Sequence, residues 1–320
     1  MYQNLVILLL GLSTLIFAEQ NTGQNMNDQK HEVKLTHKIK AKLGEGAFWD
    51  NRDQRLFWVD IIGLKVHIYD PETRINKSFP TPSMVGTVVP GNNDKAVIAL
   101  VDGIYILNTL DGEISLLSDV EADMTYNRFN DGKCDPNGNL WVGSMHFDQS
   151  LPKANLYKVD GKGNAVKMLD SITISNGIVW TKDSRTMYYI DTPTGQIRAY
   201  DFDADNSSIS NERIAVEVPV GLGFPDGMTI DEEDKLWVGL WNGNAVARFD
   251  PVSGKLMSKI EVPAHNVTSC SFGGSDFETL YITTSSLDMT EEEQARYPLA
   301  GSLFEVKPGV KGVAGNFFRN

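Results

Sequence analysis

The sequence contains few cysteines, few basic residues and no long apolar run. Its two cysteines form no CxxC motif or Cys/His cluster, which excludes a structural zinc site built from thiolates. Lysine and arginine number 29 against 42 aspartate and glutamate residues, a net charge of -13. Phosphate binding needs clustered positive charge, so a nucleic-acid or anionic-membrane partner is not expected. The remaining composition, with 28 glycines and 30 aromatic residues, favours an all-β protein.

The chain begins with an apolar segment, Leu5 to Ala18, that is shorter than the roughly 20 residues of a transmembrane helix. Its length and its final small residue predict a signal peptide over residues 1–18. An uncleaved anchor and a buried element are the alternatives. Residues 19–32 are polar and are predicted to form a flexible leader. We therefore expect export, to the periplasm or the cell exterior, and no membrane association after cleavage.

Cys134 and Cys270 lie far apart in strand-like segments, and we predict that both are free and buried. A disulfide between them is the alternative for an exported protein. Asn76, Asn206 and Asn266 match the glycosylation sequon, which matters only in a eukaryotic source.

A repeat is visible in the spacing of aromatic strand residues. The anchors are separated by 83, 48, 48 and 44 residues, the first step being double: Trp58, Trp141, Tyr189, Trp237 and Tyr281. Each unit contains several short strands separated by turns, as in a β-propeller blade. We therefore predict one all-β domain over residues 33–320, a six-bladed β-propeller with four-stranded blades around a central channel. The segment near residues 33–40 is expected to close the ring by joining the last blade.

Polar residues recur 11 to 13 positions before four of these anchors: Glu45, Asn130, Asn176 and Asp226. Equivalent positions in a radial repeat are predicted to meet at the axis, on the innermost strands. Two carboxylates with one or two amide oxygens form an all-oxygen site that suits a hard divalent cation. The alternatives are ordinary Asn-Gly and Asp-Gly turns, or a hydrogen-bonded polar plug along the axis.

Several motifs carry a family resemblance: LGEGAFW from residue 43, NRFNDGKCDPNG from residue 127, ISNGIVW from residue 174, YYID from residue 188 and FPDGMTID from residue 224. In these segments, and from about Leu35 to Gly312, the chain resembles the regucalcin/gluconolactonase/luciferin-regenerating-enzyme family. The resemblance implies a six-bladed propeller with one divalent cation in the channel, Ca²⁺ or Zn²⁺ first, with Mg²⁺ or Mn²⁺ as further candidates. It also implies hydrolysis of a small-molecule substrate, a sugar lactone such as gluconolactone.

The resemblance assigns metal ligands to Glu45, Asn176 and Asp226, residues that the spacing also selects. It assigns substrate contacts to Arg128 and Asn130. A further family contact is a glutamate, and Asp148 occupies that position here.

Asp226 is the expected general base, which would deliver water to the lactone carbonyl. His146 is an alternative base near the rim. No GxSxG motif occurs, so a serine nucleophile is not expected. Two non-enzymatic readings stay open, a calcium-binding propeller without turnover and a propeller that serves as an interaction scaffold. A monomer is favoured.

Overall fold

The computed structural model describes residues 31–319, which form six four-stranded antiparallel sheets arranged as a ring. This confirms the predicted six-bladed β-propeller. The signal-peptide prediction and nearly all of the predicted leader lie outside the described residues. Within residues 31–319, no helix is long and apolar enough to cross a membrane.

Five blades are formed by consecutive strands. Blade 1 comprises β2 to β5: Gly44–Asp50, Arg55–Asp60, Lys65–Asp70 and Ile75–Pro80. Blade 2 comprises β6 to β9: Thr87–Pro90, Lys95–Leu100, Gly103–Asn108 and Ile114–Ser118. Blade 3 comprises β10 to β13: Asn127–Cys134, Leu140–His146, Ala154–Val159 and Ala165–Ile172. Blade 4 comprises β14 to β17: Ser175–Trp180, Thr186–Asp191, Gln196–Asp203 and Ser208–Glu217. Blade 5 comprises β18 to β21: Phe224–Ile230, Leu236–Trp241, Ala245–Asp250 and Lys255–Glu261.

The sixth blade combines both ends of the chain. Its strands are β22 (Asn266–Gly273), β23 (Thr279–Ser285) and β24 (Leu303–Val306), with β1 (Lys34–His37) pairing to β24 as the outermost strand. A short helix, α1 (Glu291–Arg296), lies between β23 and β24. The N-terminal strand therefore closes the ring as predicted, and it covers an edge that would otherwise be exposed.

In blades 1 to 5 the first strand in chain order faces the axis. These strands are buried along most of their length and contact one another from blade to blade, whereas the fourth strands are largely exposed. All five anchor residues lie on the second strand of their blade and are no more than 4% exposed. Two of the anchors form the same type of hydrogen bond: Trp141 Nε1 donates to Asp135, and Trp237 Nε1 donates to Asp231, each at 2.9 Å. Trp141 also contacts Trp180 of blade 4 edge to face, and Trp237 contacts Phe272 of blade 6 in the same way, so these two anchors pack between blades.

The C-terminal segment crosses the channel beside the C-terminal ends of the inner strands. Phe318 is 1% exposed, and its backbone N–H donates to the carbonyl of Pro90 in blade 2 at 3.1 Å. Asn316 Nδ2 donates to the carbonyl of Cys134 in blade 3, and the carbonyl of Lys311 accepts from Glu232 after β18. These bonds link three blades and leave the other end of the channel as the accessible one.

Candidate active site

The four polar residues selected by spacing converge on one cavity. Glu45, Asn130, Asn176 and Asp226 come from four different inner strands, are 4 to 6% exposed, and line a cavity of about 350 Å³. Arg128 lies on the same wall. The structure therefore brings together five of the six predicted site residues.

A β-bulge on each of five inner strands explains this convergence. One extra residue follows Glu45, Phe129, Ser175, Pro225 and Val267, each of which is among the first three residues of its strand. A bulge breaks the alternation of side chains and redirects the residues at it. The inner strand of blade 2 pairs without a bulge, and this blade contributes no carboxylate or amide to the cluster.

The glycines beside the cluster are required by close approach of neighbouring strands. A Cβ atom at Gly177 would lie 2.7 Å from the carbonyl oxygen of Asp226. Gly46 has a φ of 62°, and its N–H donates to Glu45 Oε2 at 2.9 Å. These glycines allow adjacent blades to bring their polar side chains to a narrow axis.

The two carboxyl groups are buried beside each other. Burial, reinforced by the charges of Asp226 and Asp131, raises the pKa of Glu45 well above its usual value. Burial also raises the pKa of Asp226 to about 8. Burial therefore favours the protonated form of both carboxyl groups, and a bound cation would favour the ionised form instead.

The third oxygen of the site belongs to Asn176. Its Nδ2 donates to Thr192 Oγ1 at 3.0 Å, and Thr192 Oγ1 donates onward to the carbonyl of Pro225 at 2.9 Å. Asn176 Oδ1 is buried and has no hydrogen-bond partner among the described residues. The amide is therefore held with its oxygen uncommitted, next to two carboxylates.

This donor set fits a hard divalent cation. Two carboxylates and one amide oxygen are the ligand types that Ca²⁺ and Mg²⁺ prefer, and water or substrate can complete the coordination. A positive charge would also offset the effect of burial, which raises the pKa of both carboxyl groups. Among residues 31–319, no group of three or more His, Cys, Asp and Glu side chains is placed to hold a metal ion, so a site here depends on the amide oxygen of Asn176.

Asn130 has a different role from Asn176, although the repeat places them equivalently. Its Oδ1 accepts from Arg128 Nη1 at 2.8 Å, and its Nδ2 donates to the carbonyl of Ser175 at 2.8 Å. Arg128 Nη1 also donates to the carbonyl of Phe129 at 3.0 Å. Burial lowers the pKa of Arg128 to about 10, so the guanidinium stays charged at neutral pH. Asn130 thus orients Arg128 in the cavity wall.

Asp148 and His146 lie outside the cavity lining. The Asp148 side chain is 69% exposed, and its backbone N–H donates to His146 Nδ1 at 3.0 Å. His146 is buried against Tyr126, with ring centroids 5.5 Å apart. The neighbours of Asp148 in the same turn, Phe147 and Gln149, line the cavity instead. Asp148 is therefore the one predicted site residue that the structure does not place in the cavity lining.

Two charged residues below the site were not selected from the sequence. Asp131 follows Asn130 in the bulge, and burial raises its pKa. Lys133 reaches the channel and donates through Nζ to the carbonyl of Met228. Both belong to the NDGK stretch of β10, whose polarity inside a buried strand was the available signal.

The structure confirms that the two cysteines, Cys134 and Cys270, are free and buried, as predicted. Cys270 Sγ donates to the carbonyl of Trp237 at 3.4 Å, and burial raises the pKa of its thiol to about 12.

Comparison with known proteins gives a consistent family. The sequence model described as the SMP-30/Gluconolactonase/LRE-like region matches residues 43–286. YvrE of Bacillus subtilis (strain 168), provisionally named a sugar lactone lactonase, is 40% identical over 268 residues, covering 84% of this chain and 92% of YvrE. Regucalcin of Danio rerio is 37% identical over 285 residues, covering 88% and 96% of the two chains. A solved structure of a regucalcin from Agrobacterium tumefaciens, described as a calcium-binding protein, superposes with a TM-score of 0.87 at 26% identity and covers 91% and 98% of the chains.

Proposed function

Because the chain belongs to the SMP-30/gluconolactonase/LRE-like family, we propose that it is a lactone hydrolase that uses one divalent cation. The substrate class proposed is a sugar lactone such as gluconolactone. The observation that carries the proposal is the pairing of Glu45 and Asp226 with the uncommitted oxygen of Asn176 inside a cavity of about 350 Å³.

The residues of the site have distinct roles in this proposal. Glu45, Asn176 and Asp226 would hold the cation, which would polarise the lactone carbonyl or acidify a bound water. Arg128 faces the cavity as a fixed positive charge and would stabilise the oxygen on which negative charge develops. Thr192 and Asn130 are positioning residues in this scheme. Thr192 holds Asn176 and Asn130 holds Arg128, and neither contacts the lactone carbonyl or the attacking water.

Asp226 is the proposed general base. It would accept a proton from the attacking water as the water oxygen adds to the carbonyl carbon. The ring C–O bond then breaks, the same proton passes to the leaving alkoxide, and the product is a hydroxy acid. His146, the alternative base, is buried outside the cavity lining and is assigned no part in this step.

The test uses chelator-stripped protein and acid release from gluconolactone, corrected for spontaneous hydrolysis. We expect turnover to return when Ca²⁺, Zn²⁺, Mg²⁺ or Mn²⁺ is added, and to be lost in Asp226→Ala. Asp170→Ala, which removes an exposed carboxylate on the outer strand of blade 3, should behave as wild type. Failure of every cation to support hydrolysis of any lactone would sink the proposal.

A second candidate is a calcium-binding propeller without turnover. The calcium-binding description of the Agrobacterium tumefaciens structure favours it. Calorimetric Ca²⁺ binding that requires Asp226, together with no acid release from a panel of lactones, would select this function over hydrolysis.

A further inference from the structure

The cavity has two chemically different halves. Its deep end carries the carboxyl and amide groups of the proposed active site. Most of the large side chains around its opening are apolar, and we call them the apolar mouth: Ile62, Met84, Phe147, Phe224, Trp241 and Leu287. Three exposed polar residues, Gln149, Asn242 and Asp288, also line the cavity. Phe224 is 50% exposed and Phe147 is 42% exposed. Scattered exposed apolar residues are ordinary, but a contiguous group around a cavity opening is typical of a binding surface.

The apolar mouth is built by fixed elements of several blades. Phe224 and Trp241 are directly opposite residues of the β18–β19 pair, so their side chains lie on the same face of blade 5. Leu287 is held by its own backbone, since its carbonyl accepts from Asn266 Nδ2 at 2.9 Å and its N–H donates to Ser285 Oγ at 3.0 Å. The wall therefore exists before a ligand arrives.

Of the polar groups deep in the cavity, the two carboxyl groups and Asn176 Oδ1 are assigned to the cation, and others are already bonded within the protein. Both amide atoms of Asn130 and the hydroxyl of Thr192 already form hydrogen bonds inside the protein. A substrate that carries hydroxyl groups around its whole ring would place several of them against the apolar mouth without partners, which is costly. An apolar substituent in the same place would leave water at no such cost.

We propose that the apolar mouth is a subsite for an apolar substituent of the substrate, an alkyl chain or aryl group attached to the lactone ring. The ester would lie at the deep end beside Asp226, and the substituent would contact Phe224, Trp241 and Leu287. This inference rests on the proposed lactone hydrolysis but departs from its substrate class, from sugar lactones to lactones that carry an apolar substituent. A volume of about 350 Å³ is adequate for a ring with such a substituent.

The test is a homologous series of δ-lactones whose alkyl chain at the ring carbon grows from none to five carbons. Each methylene that enters the mouth should raise kcat/KM up to about fourfold. The effect should appear in KM with kcat nearly constant, because the chain contacts the same wall in ground and transition states.

Two variants locate the effect. Phe224→Ala should reduce the dependence of kcat/KM on chain length several-fold. Leu116→Ala removes an apolar side chain of similar exposure, 59%, on the outer strand of blade 2 and should leave the dependence unchanged. A chain-length dependence that is flat in wild type, or equal in wild type and Phe224→Ala, would overturn the inference.

Non-hydrolysable δ-lactams carrying the same chains separate this inference from the proposed function. If no lactone is turned over but lactam affinity by calorimetry rises with chain length and falls in Phe224→Ala, the subsite stands and hydrolysis fails. If gluconolactone is hydrolysed and lactam affinity ignores chain length, hydrolysis stands and the subsite fails. A change of oligomeric state in Phe224→Ala, with no change in lactam affinity, would make the mouth an interface between copies and would also refute the subsite.

Discussion

Replacing Asp226 by asparagine should stabilise the metal-free protein at neutral pH while abolishing its stabilisation by a divalent cation. The two effects have opposite signs because the same buried carboxylate is unfavourable alone and favourable beside a cation. Asparagine preserves the size of the side chain and removes its titration. A residue that served only as a packing or turn residue would show neither effect.

The magnitude follows from proton linkage. Burial raises the pKa of Asp226 from 3.8 in its ordinary state to about 8 in the folded protein. Between those values the folded state binds a proton that the unfolded state does not, so the free energy of unfolding falls by about 1.4 kcal/mol per pH unit as pH rises. At pH 7 the carboxyl group of Asp226 therefore costs roughly 4 kcal/mol, and Glu45, whose pKa is also raised, acts in the same direction.

The assay is thermal or denaturant unfolding between pH 4 and pH 8, in chelator and again with saturating Ca²⁺. In chelator, the stability of Asp226→Asn should decline less steeply with pH, and its melting temperature should be roughly 6 °C above that of wild type at pH 7. With a cation at a hundred times its dissociation constant, wild type should gain about 2.7 kcal/mol and the variant nothing.

An exposed carboxylate provides the matched control. Asp170→Asn, on the outer strand of blade 3, should show the same pH dependence and the same cation response as wild type. Parallel pH dependences of wild type and Asp226→Asn in chelator would refute the reasoning from burial. An undiminished cation response in Asp226→Asn would refute the ligand assignment.

Three further predictions concern other parts of the molecule. Arg128→Ala should lower kcat/KM about 100-fold or more, whereas Asp148→Asn, whose carboxylate faces solvent, should stay within about twofold of wild type. Cys134 and Cys270 should resist a thiol reagent in the native protein and react together in denaturant, because both are buried; one fast-reacting thiol would contradict this. Phe318→Ala should cost about 3–5 kcal/mol in denaturant unfolding, since this side chain is 1% exposed, and a loss below about 1 kcal/mol would show that the C-terminal segment is weakly held.

The repeat was predictable because blade packing is a local requirement repeated along the chain. Each anchor, such as Trp141 or Trp237, follows an acidic turn and stands in an apolar strand, and these signals recur with a regular period. The same regularity indicated which polar residues share a position relative to the axis. Glu45, Asn176 and Asp226 could therefore be grouped without knowledge of their contacts.

The grouping was less informative where neighbouring blades interact. Asn130 and Asn176 occupy equivalent positions, yet Arg128 uses the oxygen of the first and leaves that of the second free. Asp148 stands where a family contact is expected, but the turn after β11 directs it to solvent and places Phe147 at the cavity. These outcomes depend on hydrogen bonds and loop conformations that no local sequence signal specifies.

The sequence by itself determined the number of blades, the ring closure by the N-terminal strand and the composition of the axial cluster, because each depends on a pattern with a fixed period. Only the tertiary structure decided which side chains are uncommitted and which surround the opening. Phe224 and Trp241 of blade 5 meet Leu287 of the loop after β23 there, at sequence separations of 17 and 46 residues. Contacts of this kind arise when the ring closes, since closure alone sets the distances between blades.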